Sequence, residues 1–91
     1  MDPREIIRHE LIGLKLRVMS SSNQLLIGLE GKVIDETRNT LTVETKAGPR
    51  TIIKDQCEFA FFLPTGGIVR VDGKLLVGRP EDRIKKRIRG W

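Results

Sequence analysis

The chain has 91 residues, of which 38% are hydrophobic and 32% charged, and a formal net charge of +5 at neutral pH. That length suits one small domain whose single core leaves little stability to spare, which disfavours a buried catalytic apparatus. A single cysteine excludes an internal disulfide, and one histidine with one cysteine provides neither a zinc cluster nor a Cys-His pair close in sequence.

Asp2-Pro3 is a helix start, an N-cap acid followed by a proline preset for the first helical position. Ile6, Ile7 and Leu11 then form one apolar stripe, so a short amphipathic helix is predicted over 1–13. Charges recur every few residues there, so the segment lacks the uninterrupted apolar run of a signal peptide or membrane span, and a cytoplasmic protein without membrane contact is expected. A small core leaves that stripe uncovered, and Ile6, Ile7 and Leu11 are therefore expected to meet a partner protein.

From Leu14 the pattern changes to period two, with Leu14, Leu16 and Val18 against Lys15, Arg17 and Met19, the mark of a strand with one face inward. After the loop "SSSNQ", further strands are predicted at about 28–36, 40–46, 50–54, 57–63, 68–71 and 74–77, joined by short turns such as "TRN", "AGP", "DQ", "PTGG" and "DG". Such spacing leaves no room for crossover helices. Consecutive strands must pair antiparallel, and six or seven of them are expected to curl into a small closed barrel over 14–78. Gly28 and Gly31, inside the strand pattern, suggest the bending that closure requires. Pro80-Glu81-Asp82 opens a predicted C-terminal helix over 79–91.

That last segment concentrates the charge. Residues 79–91 hold six basic and two acidic side chains, against eleven and ten in residues 1–78, so they carry +4 of the formal +5. A polarised basic segment is the footprint of nucleic-acid binding, because each neutralised phosphate releases condensed counterions; the bland alternative is a solvated, solubilising helix. On the helix, Arg83, Lys86 and Arg87 share one face, with Arg79 at its start. On the barrel, Arg38, Asn39, Lys54, Arg70 and Lys74 are the candidate RNA contacts.

Catalytic signals are sparse. Asp35 and Glu36 are adjacent, so on a strand they face opposite ways, and Asp35 is better placed to cap backbone amides in a turn than to bind metal. His9 lies beside Arg8 and Glu10 with no nucleophile in view, Cys57 reads as a small buried hydrophobe, and "PTGG" lacks the Lys-Ser/Thr of a phosphate loop. In "CEFAFFL", Phe59, Phe61 and Leu63 fall on one strand face and read as core, while Phe62 faces the other way. No catalytic residue and no metal or cofactor is expected in this chain.

Gly31, Val33, Asp35, Arg38, Asn39, Leu41 and Val43 are similar to the first signature of Sm-like proteins, a strand-turn-strand whose turn holds a nucleotide, and "IVRVDGKLL" resembles the second. Across nearly the whole chain, "HELIGLKLRV", "LIGLEGKVIDETRNTL" and "FLPTGGIVRVDGKLLVGRPEDRIKKR" together resemble the archaeal ribonuclease P protein component 1 family. That resemblance implies a six-stranded Sm-like barrel acting as a non-catalytic, RNA-binding subunit of the ribonucleoprotein that removes the 5′ leader of precursor tRNA. It further implies that the RNA subunit carries the chemistry with bound magnesium, and that the chain is a monomer until it pairs with a zinc-ribbon protein subunit. The tip around Asp35 and Asn39 is then a turn that presents Arg38 to RNA. Two other readings remain at this stage, a ring-forming Sm-like RNA chaperone for single strands and a barrel serving only as a protein-interaction module.

Overall fold

The computed structural model describes residues 11–78. Within them six strands, β1 (Lys15–Ser21), β2 (Glu30–Glu36), β3 (Thr40–Thr45), β4 (Gly48–Ile53), β5 (Cys57–Phe62) and β6 (Ile68–Asp72), are interspersed with three 3-10 turns, η1 (Gln24–Leu26), η2 (Lys54–Gln56) and η3 (Gly73–Leu76). They form one antiparallel sheet in the order β4-β3-β2-β1-β5-β6. The period-two pattern is the cause: Leu14, Leu16 and Val18 are buried while Lys15 and Arg17 are exposed, and in β5 Phe59 and Phe61 are fully buried.

Every strand contributes to one core, from Leu16 and Val18 through Val33, Leu41, Val43 and Ile52 to Phe59, Phe61, Val69 and Val71. A single sheet encloses a core of this kind only by curling on itself. Gly31 shows how tightly it does so, because a Cβ there would sit 2.1 Å from the Glu44 carbonyl oxygen on β3.

The closed barrel expected from strand spacing is not formed: β4 and β6 are the two ends of the sheet and share no ladder. The gap is bridged instead by η2 and η3. A Cβ on Gly73 would lie 1.7 Å from the Lys54 carbonyl oxygen and 2.7 Å from that of Cys57, so the two turns abut backbone to backbone. The predicted strand at 74–77 is η3, started by Asp72, whose side chain accepts the Lys74 N–H at 3.0 Å. Gly28 lies in the turn before β2, at φ +87°, and not within a strand.

No α-helix occurs among the described residues. The helices predicted over 1–13 and 79–91 fall mostly outside them; the described part of the first is a turn at Ile12-Gly13, with Gly13 N–H donating to Val33 O at 2.8 Å.

Candidate nucleic-acid interface

The turn between β2 and β3 is shaped by a slip in β2. Val33 pairs with Val43, but the next pair is Asp35 with Thr42, leaving Ile34 as an extra residue. This bulge sends Ile34 and Asp35 outward together and turns Glu36 into the core, where plain alternation would have put Asp35 inward. Asp35 does cap a backbone amide, its Oδ1 accepting from Glu36 N–H at 2.9 Å.

The tip itself is held by threonines. Thr37 N–H donates to Thr40 O at 3.0 Å, Thr40 N–H donates to Thr37 Oγ1 at 3.1 Å, and the two hydroxyls share a hydrogen bond of 2.6 Å. Asn39 has negative φ, as has every non-glycine residue among those described. Its carbonyl accepts Lys54 N–H at 2.8 Å. Arg38 and Asn39 are both exposed at the tip.

Beneath them lies a buried cation. Lys54 was placed among the RNA-contacting side chains, yet its side chain has no solvent exposure. Its ammonium donates to Glu36 Oε2 at 2.6 Å, Thr37 O at 2.7 Å, Gly78 O at 3.0 Å and Arg38 O at 3.2 Å. Four acceptors surround a group with three N–H donors, so at least one hydrogen bond is shared. Gly78 N–H also donates to Arg38 O at 2.7 Å, which fixes the last described residue against the tip. Sequence reasoning missed this cluster. The phase of β4 did contain the signal, for Lys54 follows Ile52 by two residues and Ile52 is fully buried.

The remaining predicted contacts are dispersed. Arg70, exposed on β6, donates to Glu58 Oε1 at 2.5 Å across the β5–β6 pair, and Lys74 is exposed on η3. An exposed pair of this kind contributes little, about 0 to 1 kcal/mol, and leaves the guanidinium accessible. Leu11 is fully buried in the core, which removes it from the expected partner-facing stripe. Ile6, Ile7, Arg79, Arg83, Lys86 and Arg87 lie outside the described residues.

At the other end of the β2–β3 pair, a cavity of about 560 Å³ is lined by Lys15, Glu30, Glu44 and Lys46 among others, a balanced charge set. Lys15 approaches Glu30 Oε1 at 3.0 Å, and that hydrogen bond with its charge holds the Glu30 carboxyl below its ordinary range. Cys57 is buried as read, donates to Ser21 Oγ at 3.4 Å, and has its thiol pushed up by desolvation. Among the described residues no group of three His, Cys, Asp or Glu could hold a metal ion, and no helix is long and apolar enough to cross a membrane.

These elements define a small all-antiparallel β domain that carries an exposed arginine on a clamped turn. Residues 4–86 match the family model of ribonuclease P/MRP subunit p29. The chain is 52% identical over 88 residues to the ribonuclease P protein component 1 of Methanocaldococcus jannaschii, covering 96% of this chain and 92% of the relative. It is 49% identical to that of Methanothermobacter thermautotrophicus, with 96% and 95% covered. A solved structure described as a homologue of the human RNase P protein Rpp29 superposes with a TM-score of 0.61 at 47% identity, covering 84% of this chain and 99% of that one. The chain belongs to the ribonuclease P/MRP p29 family, whose archaeal members are the ribonuclease P protein component 1 proteins.

Proposed function

We propose that this chain is a non-catalytic, RNA-binding subunit of cytoplasmic ribonuclease P, which supports removal of the 5′ leader from precursor tRNA by the RNA subunit. The observation that carries this reading is the family match over residues 4–86, which includes both the Arg38 tip and most of the basic segment that follows Gly78. In this reading the RNA holds the magnesium and performs the phosphodiester chemistry. The protein contributes phosphate contacts, which set register and orientation and carry no base specificity. Arg38 suits the exposed tip because its planar guanidinium both stacks on a base and grips phosphate with two parallel hydrogen bonds. Free in solution the chain is a monomer that pairs with a zinc-ribbon subunit of the same enzyme.

Reconstitution tests this directly. Precursor-tRNA cleavage is measured with the RNA subunit and the other proteins, with and without this chain, at limiting magnesium. Addition is expected to raise the cleavage rate. An unchanged rate, with the chain folded and present, overturns the proposal.

A further inference from the structure

We propose that Lys54 is a positioning residue for RNA binding: its buried ammonium holds the Arg38 tip and the root of the basic segment side by side, so that both meet one RNA. This rests on the RNA-binding reading above and assigns that surface its internal support.

Among the described residues the ammonium donates to one carboxylate oxygen, Glu36 Oε2, and to the main-chain oxygens of Thr37, Arg38 and Gly78. Two of these belong to the exposed tip, and the third belongs to the residue from which the segment 79–91 departs. Gly78 N–H closes the arrangement by donating to Arg38 O at 2.7 Å. The glycine hydrogen-bonded to Arg38 is thus the residue that precedes Arg79 in sequence.

Stability alone does not call for such a group. A buried ion pair gains roughly what its desolvation costs, and well-packed apolar side chains of similar volume commonly replace one without loss. What methionine at this position lacks is N–H donors. Without them the three carbonyls turn toward water, and the tip and Gly78 lose their common anchor. The ammonium therefore fixes a geometry: Arg38 at the tip and, beside it, Gly78, the residue that precedes the basic segment in sequence.

The test uses the full chain and an in vitro transcript of the ribonuclease P RNA. Affinities are measured for the parent, Arg38→Ala, the paired variant Glu36→Met/Lys54→Met, and all three substitutions together. Arg38→Ala is expected to weaken binding about tenfold, the value of one good contact. The paired variant is expected to lose about as much, although neither altered side chain is exposed. The triple variant should be no more than about threefold weaker than either, because both changes remove the same contact. Additive losses, about a hundredfold in the triple variant, overturn the inference, as does unaltered affinity of a folded paired variant. If Arg38→Ala itself costs nothing, the RNA reading of the tip fails, and the positioning role fails with it. Should the paired variant not fold, amide exchange in the parent decides: strong protection of Gly78 N–H supports the clamp, and exchange at the rate of a free amide overturns it.

Discussion

Replacing Lys54 alone separates the energetics of the buried pair from its geometry. At an effective dielectric of about 20, opposite charges separated by the 2.6 Å of the Lys54–Glu36 contact attract by roughly 6 kcal/mol. Removing both charges from water costs several kcal/mol for each ion, so the net gain of the intact pair is small. Lys54→Met destroys that balance, because it leaves the Glu36 carboxylate in the core and takes a donor from three carbonyls. Breaking one side of a buried pair costs about 3 to 5 kcal/mol, which in a domain of this size lowers the melting temperature by on the order of 10 to 40 °C. The variant Glu36→Met/Lys54→Met should melt well above Lys54→Met, because the two opposite charges are removed together, although the three carbonyls still lose their donor. Differential scanning calorimetry at neutral pH measures both. A Lys54→Met protein that melts within a few degrees of the parent would refute the reasoning, since it would mean that Glu36 reaches water in solution.

Leu11→Ala should cost about 2 to 5 kcal/mol in urea unfolding, because this residue is fully buried; a change below about 0.5 kcal/mol would return it to the surface. Gly73→Ala should cost at least about 3 kcal/mol in the same assay, since its Cβ would stand 1.7 Å from the Lys54 carbonyl oxygen and force η3 from η2. Burial raises the Cys57 thiol, so the folded value lies above the unfolded one: the stability this residue contributes is complete below about pH 8.5 and declines as pH rises through the folded value. The thiol should accordingly react with Ellman's reagent at least about tenfold more slowly than a free thiol at pH 8, and equal rates would contradict its burial. Changing Arg83, Lys86 and Arg87 together to Ala should flatten the plot of log RNA affinity against log salt by roughly 2 to 3 units, and an unaltered slope would assign the RNA surface to the sheet, around Arg38, Arg70 and Lys74.

How much of this could be read from the chain depends on which rule governs each residue. Alternation is a local property, and wherever it runs undisturbed the strands and their buried faces follow from it, as at Leu14 to Val18 and at Phe59, Phe61 and Leu63. At Ile34 it is disturbed, and nothing in "KVIDET" announces a bulge, because a bulge is set by the register with β3 and not by the residues of β2. Glu36 was therefore legible as facing away from Asp35, but not as facing inward. For Lys54 the phase of β4 pointed to the core and the charge pointed to solvent; charge was the stronger prior and gave the wrong answer, because the carboxylate that makes burial tolerable sits 18 residues away. The barrel failed for a similar reason. Antiparallel pairing follows from short turns, but whether the outer strands meet depends on the ends of β4 and β6, where η2 and η3 intervene.

The same cluster bears on how, under the proposed function, a protein with so little charge in its sheet meets RNA in a defined orientation. Residues 11–78 contain nine basic and seven acidic side chains, several of them paired on the surface, so the body of the domain generates only a weak field. Long-range attraction must come from the segment after Gly78, where six basic residues outnumber two acids. Attraction of that kind is screened within about 8 Å at physiological salt and has no preferred orientation of its own. Orientation requires contacts carried by a backbone that is held in place. The Arg38 backbone is so held, because its carbonyl accepts both the Gly78 N–H and the Lys54 ammonium. Under the proposed function the basic segment supplies encounter and the clamped tip supplies register, and Gly78, the residue before that segment in sequence, is hydrogen-bonded to Arg38 at 2.7 Å.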